Sequence, residues 1–421
     1  MRASKKIAIK FKRFLITLGP GLITGASDDD PSGIATYSQA GAQFGYATLW
    51  TAVLTFPLMA AIQGMCARIG IVTSAGLTVT LKKHYPKSIL YTMLLFSFPA
   101  ITLNIGADIQ GMGAVTHMML PQIPTFVCCI IFTGILMFVI VQYPYQRVAM
   151  ILKWLCLSVL LYIIVPFMVK QDWLEVLKST FVPTIKFNRD FLFILVAILG
   201  TTISPYLFFW QATMEAEDMA HSQKAVIVNK QIMTNMEVDV NVGMFLSNVV
   251  MFFMILAAGS VLFKAGIHEI DTVDQAAKAL APLTGKFTSL IFTIGIIGTG
   301  LLAIPVLAGS QSYMLSETFG WEAGLDKKFP QAKAFYITII LSLLVGLCLN
   351  FIGISPIQAL IYTAILYGVT APVLIAIVMH IGNNKKVMGE YTNSKLSNIL
   401  GAITLVLMTI AAVAVVYFQF A

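Results

Sequence analysis

Apolar residues run in long blocks along this chain, and polar residues gather in short stretches between them. A block of about 20 apolar residues is the length of a helix that crosses the hydrocarbon core of a bilayer. The pattern predicts about eleven such spans. They centre on Phe14–Gly45, Leu49–Val72, Leu90–Gly113, Pro124–Val141, Val148–Met168, Phe191–Ala212, Val242–Phe263, Phe287–Leu307, Ala334–Phe351, Pro356–His380 and Leu396–Phe418. The first block is interrupted. It carries "TGASDDDPSG", Thr24 to Gly33, with three adjacent aspartates, a proline and a glycine.

Charge at membrane depth is costly and usually functional, and irregular backbone there must line a cavity or be buried in protein. Proline removes a backbone donor and glycine relaxes the chain. "DPSG" therefore predicts an unwound point at which Asp30 stands beside freed carbonyls, a hard-oxygen site for a cation. A solvated loop between two short helices is the other reading, but neither flank is long enough to span alone. A second interruption, "LGTTISPYLFFWQ" (Leu199 to Gln211), falls in the sixth block. Alone it reads equally as a proline kink. Breaks in the first and sixth of about eleven spans fit a five-plus-five inverted repeat with a substrate site between the discontinuous helices. The repeats would cover 14–169 and 191–381, after a basic tail at 1–13 and before an extra helix at 396–420, all in one domain of 421 residues.

Composition agrees with a membrane chain. The sequence is 58% hydrophobic and 11% charged, with mean hydropathy +0.85, where a soluble domain carries about 25% charged residues. The basic start and first apolar run also resemble a signal peptide, but the many later spans favour an uncleaved first helix. Lysine and arginine set the orientation. With the N-terminus inside, the loops bearing Arg68/Lys82/Lys83/Lys87, Arg147, Lys224/Lys230, Lys327/Lys328/Lys333 and Lys385/Lys386/Lys395 also fall inside, and the C-terminus falls outside. The expected location is the cell membrane, multi-pass. The net charge of +8 is thus a topology signal, and no basic patch with interleaved aromatics suggests nucleic acid. The five cysteines lie in apolar spans without zinc spacing, and the histidines and methionines form no ligand cluster. Without a nucleotide-binding motif, direct ATP drive is not expected. "IDTVDQAAKALAPL" (Ile270 to Leu283) predicts a short amphipathic helix in an outer loop.

"GPGLITGASDDDPSGIATYSQAGAQFGYATLW", together with "APLTGKF" before the eighth span and "GSQS" within it, resembles the Nramp family of divalent-metal transporters. The resemblance covers essentially the whole chain. It implies an all-α LeuT-type fold and metal-ion transport by alternating access, with no enzymatic activity and no cofactor. Asp30 matches the family's metal-binding aspartate, and Gly33 stands where the family has an asparagine ligand. Ser204 replaces a metal-binding methionine, Tyr206 replaces a histidine linked to proton movement, and Gln211 falls where a second histidine is expected. Asp108 is the one carboxylate where the family has an acidic pair. Thr363 lies roughly where the tenth span supplies a polar ligand, although a helix-surface threonine is the blander reading.

Losing a thioether removes a contact that manganese or iron values and magnesium does not. Magnesium dehydrates reluctantly and uses one or two carboxylates. The departures therefore resemble the family's magnesium-transporting branch. A partly hydrated Mg2+ is the expected substrate, held by Asp30, with Thr201 and Ser204 hydroxyls on its waters and freed carbonyls near Ser27 and Thr201. Replacing asparagine by Gly33 is expected to open space. Among the three adjacent carboxylates only Asp30 is expected to touch the ion, because helical spacing sends them to different sides, while Asp29 lines the inner pathway. Missing histidines weaken proton coupling, so uptake is expected to follow the membrane potential. Asp108 reads either as a proton site or as a buried carboxylate bonded to backbone. Proton-coupled transport of Mn2+ or Fe2+ is the alternative. Other classes fit less well. An aspartyl protease would pair Asp30 with Asp108, using "GAD" at Gly106–Asp108, and leaves the breaks without a role. A prenyltransferase needs a second acidic motif. An amino-acid carrier would set Asp30 against the substrate carboxylate. The lipid bilayer and the divalent cation are the expected partners of a monomeric chain.

Overall fold

The computed structural model describes residues 19–144, 157–221, 228–351 and 353–420. The basic tail, Arg147, Cys156, Lys224 and the first part of the fifth expected span (residues 148–156 of Val148–Met168) lie outside these residues; its remainder forms a 3-10 stretch at Leu157–Ile163 and a short helix at Val165–Met168.

All regular structure among the described residues is helical. The main helices are α1 Pro20–Asp28, α2 Pro31–Phe44, α3 Trp50–Thr73, α4 Leu77–His84, α5 Lys87–Met119, α6 Thr125–Gln142 and α7 Trp173–Phe181. They continue with α8 Arg189–Thr202, α9 Pro205–His221, α10 Lys230–Val261, α11 Thr288–Phe319, α12 Lys333–Cys348, α13 Pro356–Asn383 and α14 Lys395–Phe420. Eight helical stretches among the described residues are long and apolar enough to cross a membrane, with α8 and α9 forming one of them, and α12 is a shorter apolar helix of 16 residues.

The first and sixth spans are broken, as the sequence implies, but each break is tighter than "DPSG" suggests. Only Asp29 and Asp30 interrupt the first span, and Pro31 to Gly33 already form the first turn of α2. Proline suits that turn because its φ is preset and its missing N–H would be unpaired there anyway. Asp30 caps the new helix by accepting from the Gly33 amide. In the sixth span, Ile203 and Ser204 separate α8 from α9, and Pro205 opens the second half.

α10 packs along both halves of the first span, and α8 lies against α13. Apolar side chains gain little by leaving lipid for protein, so close backbone packing between small residues holds such helices together. Gly25 faces the Gly243 backbone, and Gly200 faces the backbone of Ala364 and Gly368. A β-carbon at either glycine would collide with main chain.

Some boundaries differ from the apolar blocks. α10 begins at Lys230 and α11 runs on to Phe319, because helices continue past the hydrocarbon into polar turns. Arg68, expected in a loop, is buried within α3, where it meets Glu237 at 3.1 Å and Asn393 at 3.3 Å. Cys348, expected to be buried, is exposed at the end of α12, while Cys66, Cys128 and Cys129 are buried. The outer stretch forms a helix at Val273–Ala277 with a Thr272/Gln275 capping box, followed by a 3-10 turn.

Gly200→Ala should lower the unfolding midpoint of the purified protein, since overpacking typically costs about 1–3 kcal/mol. Gly134→Ala, where the added carbon meets nothing within 4 Å, should not. Thermal unfolding of both variants in detergent checks this.

Candidate metal site

The two breaks face each other at the centre of the bundle. Asp30 is buried, with 2% of its surface exposed. Its Oδ1 accepts from the Gly33 amide at 2.8 Å and from Ser32 Oγ at 2.6 Å, and its Oδ2 accepts from Asn104 Nδ2 at 2.9 Å. The Ser32 backbone also hydrogen-bonds this carboxylate. Asn104, on α5, is held in turn by the Thr363 hydroxyl, which lies 2.9 Å from its Oδ1. Thr363 is buried on α13 and is not a helix-surface residue; it touches the site through Asn104.

On the facing side, Thr201 Oγ1 lies 3.3 Å from Ser32 Oγ. The carbonyls expected to be free are already partnered. Tyr206 Oη donates to the Ser27 carbonyl at 2.9 Å, and Ser204 Oγ donates to the Thr201 carbonyl at 2.5 Å. Ser27 turns its own hydroxyl back to the Ile23 carbonyl at 2.9 Å. The cause is the cost of an unpaired carbonyl in an apolar interior, which a nearby hydroxyl removes. Gly33 supplies its amide to Asp30. It opens less space than expected: a β-carbon there would stand 3.3 Å from the Tyr37 ring and 3.4 Å from both the Asp28 carbonyl and Thr201 Oγ1. Glycine at this position therefore lets α2 approach both breaks.

The three adjacent aspartates divide between two sides. Asp30 faces α5, whereas Asp28 faces α10 and accepts from Ser247 Oγ at 2.7 Å. Asp29 also lies beside Ser247. Asp28 and Asp29 thus share a side, against the expectation that helical spacing would separate them, because Asp29 has left the helix. Asp29 is 7% exposed, so it is not an open vestibule residue in this conformation. Asp108 is buried one turn beyond Asn104, beside the Ser32 backbone and the Asp30 carboxylate. Gln211 belongs to a different cluster. Its Oε1 accepts from Thr24 at 2.5 Å and its Nε2 donates to Glu215 at 2.9 Å, which ties α1 to α9.

Asn104, Ser32, Ser247 and Glu215 escaped the sequence reading. Asn104 was within reach, since it precedes Asp108 by four residues and so shares its helix face. Among the described residues no group of three or more His, Cys, Asp or Glu side chains gathers. Above the site, Gln39 bonds the His268 carbonyl at 3.2 Å and the Ile270 amide at 2.9 Å, fastening the outer stretch onto α2.

Comparison with known proteins matches residues 21–418 to the family described as natural resistance-associated macrophage protein-like, Nramp. The divalent metal cation transporter MntH of Caldanaerobacter subterraneus subsp. tengcongensis is 26% identical over 406 residues, 96% of this chain and 93% of that protein. MntH of Bacillus subtilis is 25% identical over 391 residues, 91% and 88% of the two chains. The crystal structure of the Eremococcus coleocola manganese transporter with an aromatic bis-isothiourea compound superposes with a TM-score of 0.77 at 15% identity, covering 96% of this chain and 87% of that one. Mhp1, a nucleobase-cation-symport-1 family transporter in a closed conformation, gives 0.59 at 13% identity, covering 95% and 93%. The fold is therefore of the LeuT type, and with a match that spans nearly its full length the chain belongs to the Nramp family.

Proposed function

We propose that this protein carries a divalent metal cation across a membrane by alternating access, with Asp30 as the charged group that meets the ion. The observation that carries the reading is a buried carboxylate at the meeting point of two helix breaks. Buried charge at such a point is expensive unless a cation uses it. The relatives' names, divalent metal cation transporter and manganese transporter, support the same class of cargo.

The finer reading is a partly hydrated Mg2+. Ser32, Gly33 and Asn104 already engage Asp30, and a hydroxyl takes one of the two lone pairs on each of the Ser27 and Thr201 carbonyls. So few free protein oxygens suit an ion that keeps several waters. Tyr206 and Gln211 in place of histidines support uptake driven by potential, since two charges gain about 4.6 kcal/mol per 100 mV. Asp29, Asp108, Gln211 and Thr363 are assigned to the pathway and its support. The second reading, proton-coupled Mn2+ transport, is favoured by the manganese transporter among the structural relatives. The lysine and arginine pattern supports a cell-membrane protein with its N-terminus cytoplasmic and its C-terminus outside. The repeats are taken as 14–169 and 191–381, in a monomer that uses no ATP.

Uptake into proteoliposomes under an inside-negative potential, with a pH dye in the lumen, separates the readings. Magnesium entry without acidification is expected; manganese entry with acidification and no magnesium entry would establish the second reading instead. Asp30→Asn should abolish uptake of either ion, and uptake retained in that variant would refute the site. Asn104→Ala should weaken ion affinity by about 10- to 100-fold, the usual effect of losing a group that orients a ligand. Titration of the ion by calorimetry reads this directly.

A further inference from the structure

Two polar segments far apart in the chain meet at one end of the bundle. The last turn of α4 and its link to α5 carry Lys83, Tyr85 and Lys87, and the segment that follows α13 carries Lys385 and Lys386. Tyr85 joins them. Its Oη lies 2.9 Å from His380 Nδ1 and accepts from Asn384 Nδ2 at 3.2 Å, and its ring meets the imidazole edge-on at 5.5 Å. All four lysines are exposed, and among the described residues none of them forms an ion pair. Glu390, the acid nearest to Lys386 in sequence, is itself exposed and pairs with neither Lys385 nor Lys386. Helix dipoles account for Lys83, in the last turn of α4, and for Lys385 and Lys386, just past α13. The dipole of α5 opposes Lys87, its first residue. The face of α5 that bears Lys87 continues through Tyr91 and Leu95, which follow at four-residue spacing and are 52% and 71% exposed. In a chain that crosses a membrane this stripe meets lipid, and the lysines stand at its edge.

We infer that Lys83, Lys87, Lys385 and Lys386, gathered around Tyr85, form a docking surface for the headgroups of anionic membrane lipids. The positive-inside pattern asks only for basic residues in these loops. It gives no reason for two loops to converge on one tyrosine. Each lysine ammonium brings three donors and no acceptor, whereas the phosphate of a lipid headgroup brings negative charge and acceptors. Unpaired cations gathered in one place repel one another, and an anion among them turns that repulsion into attraction. Clusters of this size beside a membrane helix suit anionic lipid. A lipid also supplies acyl chains, which cover the stripe of Tyr91 and Leu95. A headgroup held there links the start of α5 to the end of α13, the helices that bring Asn104 and Thr363 to Asp30. Such a surface needs the chain to lie in a membrane and is independent of the ion it carries.

The test uses the full chain in detergent micelles, titrated with phosphatidylglycerol or phosphatidylcholine. Native mass spectrometry resolves each bound lipid and gives the affinity of the first. Phosphatidylglycerol should bind more tightly than phosphatidylcholine. Lys87→Gln and Lys385→Gln should each weaken phosphatidylglycerol by about fivefold, the worth of one lysine beside an anionic surface, and leave phosphatidylcholine unchanged. Lys328→Gln, which removes an exposed lysine from a different loop, is the control. No preference in the wild-type protein, unchanged affinity in both variants, or an equal loss in the control overturns the proposal. Displacement of the lipid by inorganic phosphate, at matched ionic strength, also overturns it and assigns the patch to a soluble anion. If one variant does not fold, the other, on a separate segment of chain, carries the measurement. Wild-type protein that binds the lipid but carries no divalent ion would refute the carrier reading alone.

Discussion

Backbone polar groups at membrane depth have no water to fall back on, and everything at the centre of this protein answers to that constraint. Interrupting a helix frees carbonyls and amides that would each cost several kcal/mol if left unpaired in hydrocarbon. Here two interruptions lie side by side and repair each other. Asp30 caps the helix that follows it, Tyr206 reaches from the second break to the carbonyl of Ser27 in the first, and Thr201 meets Ser32. The same groups that stabilise the breaks hold the Asp30 carboxylate in place.

The surroundings serve this pair. α10 runs behind the first span and touches it through small residues and one hydroxyl. Gly243 admits Gly25, and Ser247 bonds Asp28. Two polar ties fasten α1 at its start. The Asp239 carboxylate on α10 accepts from the amides of Gly19, Gly21 and Leu22 at 2.8, 2.7 and 3.1 Å, answering the unpaired donors at that helix end. The Thr24–Gln211–Glu215 string joins the same helix to α9. α2, in contrast, is buried almost throughout and sits against α8, α10 and α13. Both halves of the first span thus combine packing with side-chain hydrogen bonds, α2 adding Tyr37 to Thr202 at 3.1 Å.

The positions of eight of the expected spans and both breaks were legible in the sequence because hydrocarbon thickness sets the length of apolar runs and because proline, glycine and charge are conspicuous within them. Asp30 stood out for the same reason, as an ionisable residue with no solvent to account for it. The fate of its neighbours was less legible. Helical spacing separates Asp28 from Asp29 only while the chain is helical, and the break begins between them. Arg68 read as a loop residue because charge usually marks a helix end, yet Glu237, far away in sequence, receives it.

The sequence by itself determined that this is a bundle of apolar helices, that two of them are interrupted, and which carboxylate stands at the first interruption. These features are local, written in the length of a run or the identity of adjacent residues. Only the tertiary structure decided which polar groups complete the site. Asn104 and Thr363 meet Asp30 from helices separated by 74 and 333 positions respectively, Asn104 directly and Thr363 through Asn104. Whether a freed carbonyl faces an ion or a hydroxyl depends on which helix packs opposite. No local pattern encodes that pairing, because it is set by the close backbone approach of helices distant in the chain.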